Sequence, residues 1–530
     1  MSQSPYAALE PRAADPAVER IPLAERRTID GPRIVLVKSM PPGSGVGTAA
    51  AMIGKGIRET MPEARCTEFA RQTPLVDSAT ERAEVAGQAD LVVYVAGPAA
   101  TMVAVGAQFC SGLEAAGVPT AMVVFEALEP TLATALAAVG APLRTVVLAP
   151  APRIADSDRA TVASVLKVLE EPLTETETST GVHRAQSRPE IAVSGTLEEV
   201  NAYFETEQLT DGLPIYPPTR DRVDALLAAT SRDAGQIVSE NLMPLGRRVT
   251  VGTVAVNAAM AGLPSALFAH LLAAVAVMGD KNFESMTRSV NSFAFPLEVG
   301  GPGLDASGIN GRLNALGPGN RHNTALARAL GLVVRNGGGA VPGLTGSPTQ
   351  GSPVAFSMAF AENPDSPWGP PDAELPDAEG DWVSVYVGGF SHAGNLYYED
   401  IEGMGRILGG VEMPAQGVVA MLSLKRAKEY AALGLSRSDV EDLLHRSATM
   451  RLGDFRANGF FPAMKSMMTD PGPMRGKLWP LEYLSAPDDE VVPAVPRQNL
   501  LVRVVGGEEA SVAQIWWIRR HCSVPVDPWR

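Results

Sequence analysis

Residues 90–125 read DLVVYVAGPAATMVAVGAQFCSGLEAAGVPTAMVVF. Two short apolar runs, Asp90–Val95 and Thr120–Phe125, bracket a small-residue segment that predicts a helix near Ala104–Ala116. Runs of this length, rich in Val and bounded by Gly and Pro, read as buried strands. The alternation continues outward. Arg33–Lys38 (RIVLVK) is a further strand, and the Gly-rich turn PPGSGVGTAAAMIGKGI after it opens a helix. Glu129–Val139 predicts another helix and Arg144–Leu148 another strand. Strands alternating with helices predict a parallel α/β sandwich of the Rossmann or flavodoxin kind over residues 31–170.

Residues 1–30 are rich in Pro, Ala and charge and are expected to form an N-terminal arm. Residues 171–190 (EPLTETETSTGVHRAQSRPE) are polar and read as a linker. Residues 191–530 are then a second, larger domain of α/β or α+β class, expected to carry the active site. Helical patterns fall at Leu197–Gln208, Arg220–Ala229, Val251–Ala261, Ser265–Met278, Thr324–Arg335, Lys425–Leu433 and Ser436–His445. Strand patterns fall at Trp382–Val387, Val418–Leu424 and Leu500–Val505. A Gly/Asn-rich stretch, Gly300–Gly346, and a Pro/Asp-rich loop, Glu362–Asp381, lie between them.

The chain has 530 residues, 45% hydrophobic and 19% charged, enough to bury large cores. Its net charge of −15 supplies no electrostatic footprint for nucleic acid or an anionic membrane. The longest apolar stretch, Leu263–Met278, is too short to span a bilayer and is interrupted by Pro264 and His270. Cys66, Cys110 and Cys522 are far apart and odd in number, which argues against a disulfide framework or a Cys-built zinc site. No signal core is visible at the N-terminus, so a reducing, cytoplasmic location is expected. The six histidines make no HxH, HxxxH or HExxH pattern, and no GxSxG elbow occurs. Neither a metal nor a cofactor is expected.

The segment from the Asp90 strand through VAGPAATM to LEAAGVPTAMVV resembles the UGSC family of (seleno)proteins, named for a selenocysteine or cysteine followed by Gly-Ser-Cys at this turn. A similar turn occurs in the selenoprotein of glycine reductase component B. The resemblance extends over roughly residues 30–170, through Val35–Lys38, Cys66–Pro74 and APLRTVVLAPAP at Ala141–Pro152. It implies a reactive chalcogen at a helix N-terminus, where the dipole stabilises an anion. Counted back from Ala116-Gly117-Val118-Pro119, that position is Ala99 and the second Cys position is Met102. The nucleophile is lost, and Cys110, well along the predicted helix, reads as a buried structural thiol. Residues 195–510 resemble the larger component that accompanies or is fused to UGSC domains. The matching residues are DGLPIYPPT (Asp211–Thr219), TVAVNAAMAG (Thr253–Gly262), NALGPGNRHNTALARAL (Asn314–Leu330), AENPDSPW (Ala361–Trp368) and LVRVVGG (Leu501–Gly507).

Candidate site residues follow from the chemistry of these motifs. Asn320, Arg321, His322 and Asn323 fall at a predicted helix start, a receptor for a carboxylate or phosphate, or else an ordinary cap with a solvated Arg. Asn257, in a small apolar helix, is either a core tie or a ligand contact. Glu284 is either a general base or an ion-paired strut. His392 sits on a Gly-rich loop, and Glu362 and Asn363 open a lid-like loop. Gly43, Ser44, Gly45, Gly47 and Thr48 form a possible anion-binding turn that fits neither the Walker nor the dinucleotide pattern. The expected function is an enzyme acting on a small, anionic metabolite by thiol-independent acid–base chemistry of the lyase kind. In it, His322, Glu284 and His392 are catalytic. Arg321, Asn320, Asn323, Asn257, Glu362 and Asn363 bind substrate. The alternative is a non-catalytic partner subunit of a UGSC-type reductase-like complex. A homo-oligomer or a hetero-complex with related subunits is compatible with either.

Overall fold

The structure, a computed structural model, describes residues 5–39, 45–72, 77–148, 154–183, 188–279, 286–289, 293–356, 358–371, 380–392, 401–409, 417–458, 461, 465, 468–469 and 479–530, without the side chains of 154–158, 183, 353, 389–392 and 519–521. The first half is built on five parallel strands: β1 (Arg33–Lys38), β2 (Arg65–Ala70), β3 (Leu91–Val95), β4 (Thr120–Phe125) and β5 (Arg144–Leu148). Their order is β2-β1-β3-β4-β5, the doubly wound flavodoxin-like arrangement. β3 is buried along its whole length, as a central parallel strand covered on both faces must be. Helices α1 (Gly45–Thr60), α2 (Ala79–Gln88), α3 (Ala100–Ala115) and α4 (Glu129–Val139) connect them, and α5 (Ile154–Glu170) follows the last strand. Two apolar clusters, one on each face of the sheet, form this core.

The second half is α/β as well. Helices α6 (Val251–Ala261), α7 (Phe268–Met278) and α8 (Arg321–Leu332) pack into the largest apolar core of the chain. Both α6 and α7 are buried over nearly their whole circumference, which explains why their sequences carry almost no polar residues. They adjoin a six-stranded mixed sheet of β6 (Leu297–Gly300), β7 (Ala359–Phe360), β8 (Trp382–His392), β9 (Gly417–Leu422), β10 (Leu500–Val504) and β11 (Ala513–Pro525), ordered β7-β6-β8-β11-β9-β10. The two edge pairs are parallel and the interior pairs antiparallel.

The first thirty residues, expected as an arm, are laid across both halves. Tyr6–Leu9 pairs antiparallel with Ile191–Gly195, and Ala8 and Ala13 enter the core of the second half. Val18–Arg20 pairs with Gly181–His183 inside the expected linker. Leu23 joins the core of the first half. There the buried Glu114 carboxylate accepts the Ala24 and Thr120 N–H groups, each at 2.7 Å, and both terminal nitrogens of Arg26 at 2.8 and 2.9 Å. The arm is held through backbone edges and one buried ion pair. Neither leaves a hydrophobic period in the sequence. No helix of the described residues is long and apolar enough to cross a membrane.

His270, on α7, is 2% exposed, and its Nδ1 has no hydrogen-bond partner among the described residues. Burial pushes its pKa down to about 4, against the pull of Asp381. The unfolded chain therefore binds a proton near pH 6.5 that the folded chain refuses until about pH 4. Stability is expected to fall as pH drops through this window, by about 3 kcal/mol from this group alone. Thermal unfolding between pH 7 and 4 tests this: His270→Leu should lose less stability over the window than the wild type, and equal slopes would remove His270 as the cause.

Candidate functional site

The helix α8 does not end in a cap. It runs on into a single π-turn, Val333–Gly337, a feature frequent at functional sites. The turn is followed by Gly338 and Gly339. A Cβ on Gly338 would stand 2.4 Å from the Met243 carbonyl oxygen, and Gly339 has φ +82°, so the run Arg335-Asn336-Gly337-Gly338-Gly339 is required by close approach and by a left-handed residue. Asn336 is buried and fixes the turn. Its amide donates to the Leu209 carbonyl (3.0 Å) and to Asn257 Oδ1 (2.8 Å).

The turn aims Arg335 at a cavity of about 580 Å³ lined by Met286, Phe293, Phe295, Val334, Pro348 and Met358 among others. Among the described residues, two other charged ones lie on its wall, and they satisfy each other. Arg328 donates twice to the Asp211 carboxylate, at 2.8 and 2.9 Å, and also to the carbonyls of Leu213 and Pro214. Arg335 is different. Its Nε donates to the Gln208 carbonyl at 2.7 Å, and it makes no ion pair among the described residues. Burial pulls its pKa below the ordinary guanidinium value, opposed by Asp211 alone. A half-buried guanidinium with terminal N–H groups facing a largely apolar cavity is a receptor for a planar anion.

The first half of the chain touches this cavity's walls. Thr101, in the first turn of α3, donates through Oγ1 to the Arg288 carbonyl at 2.7 Å, and both neighbours of Arg288, Thr287 and Ser289, line the cavity. Thr131 donates to the Gly343 carbonyl at 3.3 Å, beside the lining residue Pro342. The crevice at the carboxyl ends of β1 and β3 is where a doubly wound sheet ordinarily takes ligands. Here Ala99 is 7% exposed, and the Met102 sulfur lies over Gly97, 2.2 Å from where a Cβ would stand. Cys110 is fully buried, and burial pushes its thiol well up; Cys66 is half-buried and pushed up for the same reason.

The residues singled out in the sequence are placed as follows. Asn257 is fully buried and works as a core tie: it donates to the Pro11 and Thr253 carbonyls and accepts from Asn336. Asn320 and Asn323 are brought together with Asn310 in one knot. Asn323 donates to the carbonyls of Asn310 (2.9 Å) and Ala359 (3.0 Å) and accepts the Asn310 N–H, while Asn320 donates to Asn314 and Gly317. These amides are satisfied by the backbone and organise the loop before α8. Arg321 is exposed, and half-buried His322 packs against Gly308. Glu362 is buried against Arg437 at 2.6 and 2.8 Å; burial raises its pKa, and the arginine opposes that. Asn363 donates to the Gly506 carbonyl and accepts from the Asp365 N–H. None of these lines the cavity. Glu284, Gly43 and Ser44 lie outside the described residues, as does the His392 side chain at the end of β8. Gly45, Gly47 and Thr48 form the first turn of α1. Among the described residues no group of three or more His, Cys, Asp or Glu is placed to hold a metal ion.

Sequence reading missed Arg335 and the use of Arg328. The signal available was the run of Arg and Asn before three glycines, at the end of an amphipathic helix that the Gly/Asn-rich stretch encloses. Asp211 stands in DGLPIYPPT, one of the motifs that carry the resemblance.

No family model matches the chain, and no curated protein does. One solved structure, the crystal structure of azoreductase AzrA, aligns with 26% of this chain and 97% of its own at 11% identity and a TM-score of 0.16, a level that carries no argument.

Three outcomes are expected from this geometry. Asn323→Ala leaves the Asn310 N–H and two carbonyls without partners and should cost about 2–4 kcal/mol in chemical denaturation. Arg321→Ala should stay within about 0.5 kcal/mol of wild type. In the folded protein at pH 7, Cys110 should resist iodoacetamide and be labelled only on unfolding, read by peptide mass spectrometry; rapid native labelling would contradict its burial.

Proposed function

We propose that this chain is an enzyme that acts on a small organic anion held in the cavity beside α8, by acid–base chemistry that uses no cysteine. The chemistry is of the lyase kind: elimination, hydration, cyclisation, or the making or breaking of a C–S or C–N bond. Arg335 carries the reading. A half-buried guanidinium left without a carboxylate is costly, and an anion arriving at a cavity-facing position repays that cost. Arg335 binds the anion, the apolar wall takes the rest of the molecule, and Arg328 holds Asp211 at the rim. Asp211 is the one acidic side chain among the described wall residues. The absence of a nucleophile at Ala99, the deep burial of Cys110 and the cover of Met102 over Gly97 support chemistry that does not pass through a thiol.

A second reading, a non-catalytic partner subunit of a UGSC-type complex, is favoured by Ala99 itself. The two separate on one residue. In the enzyme reading, native mass spectrometry of the purified protein, or a thermal-shift panel of carboxylates, finds a ligand whose affinity falls at least about tenfold in Arg335→Met. In the partner reading, Arg335→Met changes no ligand response, and assembly with a related subunit survives it.

A further inference from the structure

We infer that the anion is a monocarboxylate on an apolar, ring-sized body, and not a phosphate or a dicarboxylate; this rests on the reading of the cavity as an anion site. The charge count on the wall comes first. Arg328 is matched in charge: its Nε and one terminal nitrogen bond Asp211, and that terminal nitrogen also meets two carbonyls. The pair is neutral to a ligand. Arg335 has its Nε taken by the Gln208 carbonyl, which leaves the terminal N–H groups and one uncompensated positive charge. The remaining polar wall residues among those described, Thr287, Ser289, Gln350 and Ser352, are neutral. A dianion in this cavity would satisfy one charge and strand the second against apolar walls.

Shape argues the same way. The free edge of a guanidinium presents parallel N–H groups in a plane, matched by the two oxygens of a carboxylate. The rest of the cavity is made for carbon. Phe293, Phe295, Met286 and Met358 line it, and Phe356, 49% exposed, offers its ring on the same wall. An exposed phenyl on a cavity wall is apolar surface that a bound body removes from water. The volume of about 580 Å³ is far more than a carboxylate needs, and is of the size that encloses a ring with its substituents.

Isothermal titration with fixed probes tests this: 3-phenylpropionate, its amide, butyrate, succinate and inorganic phosphate, against wild type and Arg335→Met. 3-Phenylpropionate is expected to bind about tenfold or more tighter than its amide, butyrate, succinate or phosphate. Arg335→Met is expected to erase the preference for acid over amide while leaving amide binding unchanged. Should that variant fail to fold, Arg335→Lys keeps a cation without the fork and is expected to weaken 3-phenylpropionate alone by about tenfold. Succinate, phosphate or butyrate binding as tightly as 3-phenylpropionate, in an Arg335-dependent way, would overturn this inference and leave the anion site standing. No probe binding at all, or binding indifferent to Arg335, would overturn both.

Discussion

The hydrogen bond between Asn336 and Asn257, 2.8 Å long in the main core, is the constraint on which the site depends. Both side chains are at most 2% exposed. A buried amide without partners is costly, so each must be satisfied, and the partners come from four separate parts of the chain. Asn257 reaches back to Pro11 in the first strand-forming segment, and Asn336 reaches Leu209. The Asn336 carbonyl accepts from Arg247, which is in turn ion-paired with Asp15. The result fixes the path of the π-turn after α8, and with it the direction of Arg335. Its neighbour Asn336 is locked inside the core, and the bond from Arg335 Nε to the Gln208 carbonyl completes its placement.

The arginines on the cavity wall illustrate how burial sorts charge. Arg328 and Arg335 both leave the α8 segment and both line the cavity, but one is matched and the other is not. Pairing Arg328 with Asp211 removes its charge from the ligand's reckoning and pins the DGLPIYPPT segment to the helix. Arg335 receives a neutral carbonyl in place of a carboxylate, and burial then lowers its pKa. The contrast with Glu298 is instructive. That buried carboxylate lies at 2.8 Å from Arg503 and accepts the Tyr386 hydroxyl, so the pair closes on itself inside the sheet. It is a strut with no capacity left for a ligand.

Much of the fold was legible in the sequence. The Val-rich runs of β1, β3 and β4 are buried parallel strands, and β5 (RTVVL), an edge strand only partly buried, carries the same apolar run; such strands announce themselves as short continuous apolar stretches. β2 (RCTEFA) did not, because it is an edge strand with its side chains largely at the surface. β11 did not either, because a central strand of a mixed sheet can carry Arg519-Arg520-His521 in its middle. The pairing of the opening segment leaves little trace for a related reason: it contributes backbone edges and a few scattered buried residues, Ala8, Leu9, Ala13, Leu23 and Ala24, which make no period. For the site, polarity at a helix start drew the eye to Asn320 and Asn323, whose amides are consumed by the loop they shape. A polar residue next to glycine is as often the means of folding a turn as the reason for it. The decisive residue lay at the other end of the same helix, and nothing local in the sequence distinguishes a guanidinium that will find a carboxylate from one that will not.

The first half of the chain has a place in this arrangement that does not need a nucleophile. In a doubly wound sheet the helix that starts at the switch point presents its N-terminal turn outward. Here that turn, with Thr101 bonded to the Arg288 carbonyl, abuts the segment whose Thr287 and Ser289 form the cavity wall. Thr131, on α4, holds the Gly343 carbonyl of the opposite wall segment. Two helices of one domain thus hold two wall segments of the other by single hydroxyl-to-carbonyl bonds. The Arg26–Glu114 pair, with no side-chain exposure, keeps the connecting segment seated on the first domain. Ala99, at the N-cap of that helix, is 7% exposed, so a larger, charged residue there would have to be desolvated. The turn serves here as a surface, and the cavity whose wall segment it touches holds Arg335, which makes no ion pair among the described residues.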